Sequence, residues 1–388
     1  MVVAVTSGSD VYGIKEASRM VVRTSDGTPY VAVHNETQQE IEVYKGNATV
    51  PTSFSIQDSG NSPGLRASSH DNYAPCASID ANDVIHIVWY EHKGSLSQYG
   101  GPVGVDYITF STSTDTFGTR ANIANTFLTT DSPPDPGVAS CITENYHHVV
   151  FSENRQTRGK PIPSVYYISR HLLSSAWGGI KTVGLNQHRY PDIAAQPGGV
   201  PIITAVKKPT FGAPTVEAWI ANQENATSFT VKAPLNSTIA NSYNICQILV
   251  DAFGNEYVGL PVLTTGRPSA IRHNVGDSWA TWQAASEAVT GGCDNVSIAT
   301  RGNGGYSADK NLIYNANDAA SKLSHVGDFY QVGGSNWKPQ TEVDSGVCNH
   351  ARMKWSPLHN HGETSLLEWV YEKTDDIYYE YLSLNRTV

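Results

Sequence analysis

The stretch Pro75–His92, PCASIDANDVIHIVWYEH, decides the fold. Small and apolar residues over Pro75–Ile79 run into the polar corner Asp80–Asp83, and Val84–His92 then alternates before ending on Glu91 and His92. Period-two alternation on both sides of an Asp/Asn turn predicts an antiparallel strand pair. In such a hairpin, residues before the first strand and after the second lie at the same end. His70 and His92 are therefore expected to fall together, and His86, in mid-strand, to be a packed or turn-bonded histidine.

The same unit recurs along the chain. RMVVRTSDGTPYVAVHNE begins at Arg19, ASCITENYHHVVFSEN at Ala139, PDIAAQPGGVPIITAVKK at Pro191, ICQILVDAFGNEYVGLPV at Ile245 and ARMKWSPLHNHGETSLLEWVYEK at Ala351. The turns centre near Gly27, Asn82, Asn145, Gly198, Gly254 and His361, roughly 55 residues apart except for a last gap about twice as long. A further copy is expected in that gap, with its turn near Gly304–Asp309. Third strands follow: EIEVYKG, VDYITFSTS, SVYYISRH, TVEAWIANQ and DIYYEYLSLN. Small antiparallel units that need neighbours to bury both faces predict an all-β fold, a seven-bladed β-propeller of four-stranded antiparallel blades. Residues 1–388 are read as one domain, with approximate blades 15–60, 70–125, 135–185, 188–235, 243–287, 290–345 and 347–386 plus a strand over 1–8. The last unit runs out after its third strand, while MVVAVTSG at the start has no unit of its own. The N-terminal strand is therefore expected to complete the last blade and close the ring, which would remove the open edges.

Composition agrees. The chain holds 33 Gly, 20 Tyr and 8 Trp, with only 16% charged residues, a balance that favours strands. A net charge of -10 argues against nucleic acid as a partner, and no apolar run is long enough for a membrane span. MVVAVTSGSDVYG lacks a basic n-region and an h-region, so no signal peptide is read in it. Five cysteines, Cys76, Cys141, Cys246, Cys293 and Cys348, show no zinc spacing and read as small buried thiols. No cofactor or metal is expected, although a structural Ca²⁺ at turns such as Asp80–Asp83 stays open. His147 and His148 point to opposite faces of a strand and cannot share a ligand.

Blade geometry gathers one set of residues at a single face near the axis. Before the first strands stand His70, Asn72 and Tyr73, then His188, Arg189 and Tyr190, then Tyr243 and Asn244, then His350 and Arg352. After the second strands stand His34 and Asn35, His92, Asn154 and Arg155, and Lys207. This polar, aromatic rim suits sugars, through ring stacking and amide hydrogen bonds.

The Pro75–His92 stretch resembles propeller proteins with sialidase-type repeats that include ulvan lyases and a related rhamnosidase. Pro75, Asp80, Ile85, His86 and His92 match that family's spacing, and RYPDIAA from Arg189 is similar to its Arg/Tyr-Pro segment. The family's first histidine falls where this chain has Asn72, with His70 further out. The resemblance covers one blade well and the repeat loosely. It implies β-elimination beside a uronate, with His92 as base, Tyr190 as proton donor, Arg189 as carboxylate clamp and His70 nearby. A sialidase reading lacks its own marks: there is no S-x-D-x-G-x-x-W box, and of a rim arginine triad only Arg189 and Arg352 are well placed, with Arg19 in doubt.

Two functions follow. One is a structural or recognition propeller, a virion component (phage tail or host-contacting) or surface protein, engaging glycans or other virion proteins through the rim. The other is a secreted polysaccharide lyase or glycosidase. A chain without a signal and with free thiols leans to the first, with a virion or extracellular location. The fold alone does not choose between them.

Overall fold

A computed structural model of the chain describes residues 2–6, 10, 12–13, 19–64, 75–92, 103–126, 137–157, 160–185, 187–207, 215–235, 246–250, 254, 256–260, 269–273, 281–284, 293–300, 310–316, 323–328, 341–344, 348–353, 366–374 and 376–383. These residues form seven antiparallel sheets and one short 3-10 turn, Ser59–Asn61.

Each sheet is a meander whose first strand is innermost. Blade one runs Val21–Arg23, Pro29–Asn35, Glu40–Gly46 and Phe54–Gln57, with Tyr12–Gly13 also pairing to Pro29–Asn35. Blade two runs Cys76–Ile79, Val84–His92 and Val103–Ser111, with Thr116–Phe117 and Ala121–Thr126 both paired to the last. Blade three is Val138–Ile142, Tyr146–Thr157, Lys160–His171 and Lys181–Gly184, and blade four is His188–Ala195, Pro201–Lys207, Thr215–Ala221 and Phe229–Leu235. Blade five is Gln247–Val250, Glu256–Leu260, Ser269–His273 and Thr281–Ala284. Blade six is Cys293–Thr300, Lys310–Ala316, Leu323–Asp328 and Thr341–Asp344, so its first two strands flank the expected Gly304–Asp309 turn, which lies outside the described residues. Blade seven is Cys348–Met353, Leu366–Lys373 and Asp376–Ser383, completed by Val2–Ala4 from the other end of the chain, with Val3 opposite Tyr379. The expected closure by the N-terminal strand is present.

The inner strands touch in series, one to two and so on to six and seven, and the second strand of blade seven, Leu366–Lys373, closes the ring against Val21–Arg23 of blade one. Period-two side-chain alternation is what seals this ring. Val21, Val31 and Val33 pack toward blade seven with Val3, Val370 and Tyr379. Their chain neighbours Val22, Tyr30 and Ala32 pack toward blade two with Ile85, Ile87 and Trp89. Every residue of Pro29–Asn35 is therefore buried, because each face of a blade is covered by a different neighbour. The seam between blades two and three is built likewise from Val88, Val105, Val149 and Phe151.

A buried polar network links the inner strands. Arg19 enters from blade one and its guanidinium meets the Asp192 carboxylate of blade four at 2.8 and 3.0 Å. It also donates to Ser140 O of blade three at 3.3 Å and Ile248 O of blade five at 3.2 Å, while Arg19 O accepts from Ala77 N of blade two at 2.8 Å. One buried arginine thus ties five blades together. Ser78 and Ser140 hydroxyls meet at 2.8 Å beside it, and Ser297 donates to Gln247 across blades six and five at 2.8 Å. Cys76, Cys141 and Cys246 are buried, as expected, and burial pushes the Cys246 thiol up to about 12, which leaves it inert.

Candidate functional site

Antiparallel pairing puts the start of each inner strand and the end of each second strand on one face. Blade four shows this directly: His188 lies opposite Lys207, and Arg189 opposite Val206. His188, Arg189 and Tyr190, expected just before the inner strand, are its first residues instead, separated from the regular ladder by a register shift between Arg189 and Asp192. A bulge re-aims side chains at a sheet end. Here it carries Tyr190 at φ 50°, a left-handed backbone that a bulky residue rarely takes. Gly137 makes this possible: a Cβ there would stand 3.0 Å from Tyr190 Cα and 2.9 Å from Pro191 Cδ. The Tyr190 ring, half-buried, rests on the apolar cluster of Ala194, Val206 and Val216.

Beside the bulge lies a charged trio. Glu217, from the third strand, accepts from Lys207 Nζ at 2.7 Å through one oxygen and faces His188 Nε2 at 2.9 Å through the other. His188 Nδ1 is 3.0 Å from Leu185 O, and the imidazole packs edge-on against Trp219 at 5.0 Å between ring centroids. The hydrogen bond from His188, helped by Lys207, holds the Glu217 carboxyl down at about 2 against the opposing effect of burial. Glu217 is thus a permanent anion that fixes the positions of two basic side chains at the rim. The sequence reading missed it. Its signal was a lone carboxylate in TVEAWIA, where every alternate residue is apolar.

The other predicted residues divide. His92 pairs with Val103 at the end of its strand and so lies at the same face as Arg189 and Lys207. Asn154 and Arg155 stand past the level of Gly137, opposite Pro163 and Ile162, and belong to that face too. His350 and Arg352 fall in the inner strand of blade seven, where a register shift between Asn349 and Arg352 repeats the blade-four bulge. His70, Asn72, Tyr73, Tyr243 and Asn244 lie outside the described residues. Arg19 does not belong to the rim: it is 3% exposed and committed to Asp192. His86 is the packed histidine expected, between Asp80 at 3.3 Å and the Tyr107 hydroxyl at 2.9 Å. His147 and His148 do face opposite seams, the first against His86 and the second against Tyr167. Among the described residues no cluster of His, Cys, Asp or Glu is arranged to hold a metal ion.

Blade one adds an acidic corner to the same face. Asn35 Nδ2 donates to Glu42 at 2.8 Å and Asp10 at 3.2 Å, and Tyr44 donates to Glu42 at 2.7 Å. Burial, then Glu42 and Asp10, push the neighbouring Glu40 up to about 7. A carboxyl raised above its unfolded value of 4.5 favours the fold below that pH and loses this advantage as pH rises through 7. Glu40→Gln is therefore expected to stabilise the protein at about pH 8, by about 1 kcal/mol after allowance for solvent screening, and to change nothing near pH 4. Thermal melts of the two proteins across that range check it.

No family model and no curated protein matches the chain. Solved structures do. The Hadza microbial sialidase Hz136 superimposes with a TM-score of 0.56 at 10% identity, over 91% of this chain and 73% of that one. The NanB sialidase from Streptococcus pneumoniae gives 0.54 at 9% identity, over 92% and 84%. The intramolecular trans-sialidase from Ruminococcus gnavus gives 0.51 at 10% identity, over 98% and 97%. At such identities the likeness is one of fold, and it establishes the sialidase-type propeller that the repeats suggested.

Proposed function

We propose that the chain is a recognition propeller that binds a glycan on its axial rim, as a component of a virion or a cell surface. The observation that carries this reading is the blade-four bulge. A tyrosine held at positive φ beside a pre-positioned His188–Glu217–Lys207 trio is a strained, rigidly supported arrangement of the sort that binding sites keep. Tyr190 would offer a stacking face to a sugar ring, and Arg189 and Lys207 would offer donors to its hydroxyl or carboxylate oxygens. Sialidases among the structural neighbours make a glycan a chemically natural ligand, since the same scaffold serves sugars there.

The test is a panel of immobilised polysaccharides, neutral and uronate-bearing, probed with the native chain and with Tyr190→Ala. Binding that drops about 10- to 100-fold in the variant, the equivalent of losing one stacked aromatic, supports the reading. Binding to the panel that is indifferent to Tyr190 overturns it. The same incubations also detect elimination, through the ultraviolet absorbance of an unsaturated uronate. A signal abolished by His92→Ala would make the rim a lyase site instead.

A further inference from the structure

The rim site of blade four is pressed from the side by two glycines of blade three. Gly137 stands just before the inner strand of that blade, and Gly184 ends its outer strand. Both are buried. Neither has a positive φ, unlike Gly27, Gly198 and Gly254, which stand at hairpin turns. Backbone conformation therefore does not call for glycine at either place, and close approach of a neighbour does.

The two close approaches fall on different parts of the site. A Cβ on Gly137 would meet the bulge itself, 2.9 Å from Pro191 Cδ and 3.0 Å from Tyr190 Cα. A Cβ on Gly184 would stand 2.8 Å from Trp219 Cζ2, 3.1 Å from its Cη2 and 3.2 Å from His188 Cγ. Carbon atoms rest at about 3.5–4.0 Å, so either methyl must displace what it meets. Gly137 is anchored where it is: its N–H donates to Ser152 Oγ at 3.0 Å, and its carbonyl accepts from Ser152 N at 3.0 Å. The groups facing Gly184 are anchored too. Trp219 packs in the seam with Val165, Tyr167 and Ile193, and His188 lies between Leu185 O at 3.0 Å and Glu217 at 2.9 Å. Blade three thus bears on the backbone of Tyr190 at one point and on the imidazole beside Glu217 at another.

We infer that Gly137 and Gly184 are positioning residues of the rim site: Gly137 keeps Tyr190 in its left-handed bulge, Gly184 sets the plane of the His188 ring, and the site belongs to a pair of blades. This rests on the reading of the rim as a glycan site. A side chain at position 137 pushes Tyr190 Cα away and turns its ring off the cluster of Ala194, Val206 and Val216. A side chain at position 184 tilts Trp219 and His188 and lengthens the bond to Glu217, leaving Lys207 to hold that carboxylate. Neither glycine touches the ligand; each acts through the side chain it supports.

Gly137→Ala, Gly184→Ala and Gly179→Ala are compared with the native chain, the last as a control because a Cβ there meets nothing closer than 4.0 Å. Calorimetry with the polysaccharide that the panel selects should show affinity at least about tenfold weaker in the first two and unchanged in the third. Magnetic resonance without ligand reads the cause. The Tyr190 amide-to-Hα coupling, which reports φ, should move in Gly137→Ala, and the His188 ring-nitrogen shifts should move in Gly184→Ala. Adding Trp219→Phe to Gly184→Ala removes the indole atoms in the way. It should return both the affinity and the His188 shifts toward native, a rescue that loss of stability alone would not give. Native Tyr190 and His188 signals in both single variants would overturn the inference, as would a double variant no better than Gly184→Ala. A native chain that binds no polysaccharide overturns the glycan reading alone, and the ligand-free spectra then decide the positioning role.

Discussion

Acidification from neutrality is expected to unfold this ring steeply, beginning just below pH 6.5, because four histidines are buried as neutral rings. His147 is wholly enclosed, and among the described residues neither of its ring nitrogens has a hydrogen-bond partner. It lies 5.0 Å from His86 between ring centroids, across the seam of blades two and three, with Tyr107 at 5.7 Å and Trp177 at 6.2 Å. Burial, then the charges of His86, His148 and Arg170, drive His147 well below 6.5. Burial brings His148 to about 3 and His34 to about 4. His86 is lowered too: burial outweighs Asp80 at 3.3 Å, and the ring satisfies its partners while neutral, with one nitrogen donating to Asp80 and the other accepting from Tyr107.

The sign is fixed by which state binds more protons. Unfolded histidines titrate near 6.5 and these folded ones lower, so below 6.5 the unfolded chain takes up protons that the fold refuses. Stability is complete above 6.5 and is lost as pH falls beneath it. Each group costs up to about 1.4 kcal/mol per pH unit, so together the four reach about 5 kcal/mol per unit, comparable to the whole stability of a domain. His147→Phe removes one proton from this slope. It also removes two unsatisfied polar atoms, and should raise neutral stability by about 1–2 kcal/mol. Urea unfolding at a series of pH values measures both effects, and a slope equal to the parent's would show that His147 is not among the groups responsible.

The second large effect concerns ring closure. Arg23 of blade one and Glu368 of blade seven form a fully buried pair, with Arg23 Nε donating to Glu368 Oε2 at 3.0 Å and a second, shorter contact through Nη2. Tyr379 donates to the same carboxylate at 2.5 Å, and Arg23 Nη1 reaches Thr49 O at 2.7 Å. This network seals the seam between the last blade and the first, next to the strand Val2–Ala4. Glu368→Leu strands the guanidinium in an apolar seam and is expected to cost about 3–5 kcal/mol. Adding Arg23→Met removes the stranded charge and should recover most of that loss, because a buried ion pair and a well-packed apolar pair are often nearly equivalent. Thermal denaturation of the single and double variants measures it. A double variant as unstable as the single one would mean that packing, and not the orphaned charge, carries the cost.

The repeat was legible because propeller physics writes it into the chain. Each blade needs a turn at one end and alternation through its strands, so Gly27, Asn82, Asn145, Gly198 and Gly254 mark the period, and VVAVT at the start could be matched to the unpaired DIYYEYLS at the end. The rim was legible as a face, since antiparallel pairing alone brings Arg189 and Lys207 to one end. What could not be read was commitment. Arg19 and Arg189 look equally available in sequence, yet Arg19 is consumed by Asp192, 173 residues away. Glu217 gains its role from His188 and Lys207 on two other strands, and the orphaned state of His147 depends on a neighbouring blade. These are properties of tertiary pairing, which local pattern does not encode.

The most direct measurement is calorimetric titration of a polysaccharide that the panel selects into three proteins: the native chain, Arg189→Ala, and Leu173→Ala. Leu173 is 88% exposed in the turn after His171, at the opposite end of the blades from the rim. Affinity that falls about tenfold or more in Arg189→Ala and stays unchanged in Leu173→Ala is the predicted result. Equal binding by all three, or loss only in Leu173→Ala, would contradict the placement of the glycan on the axial rim.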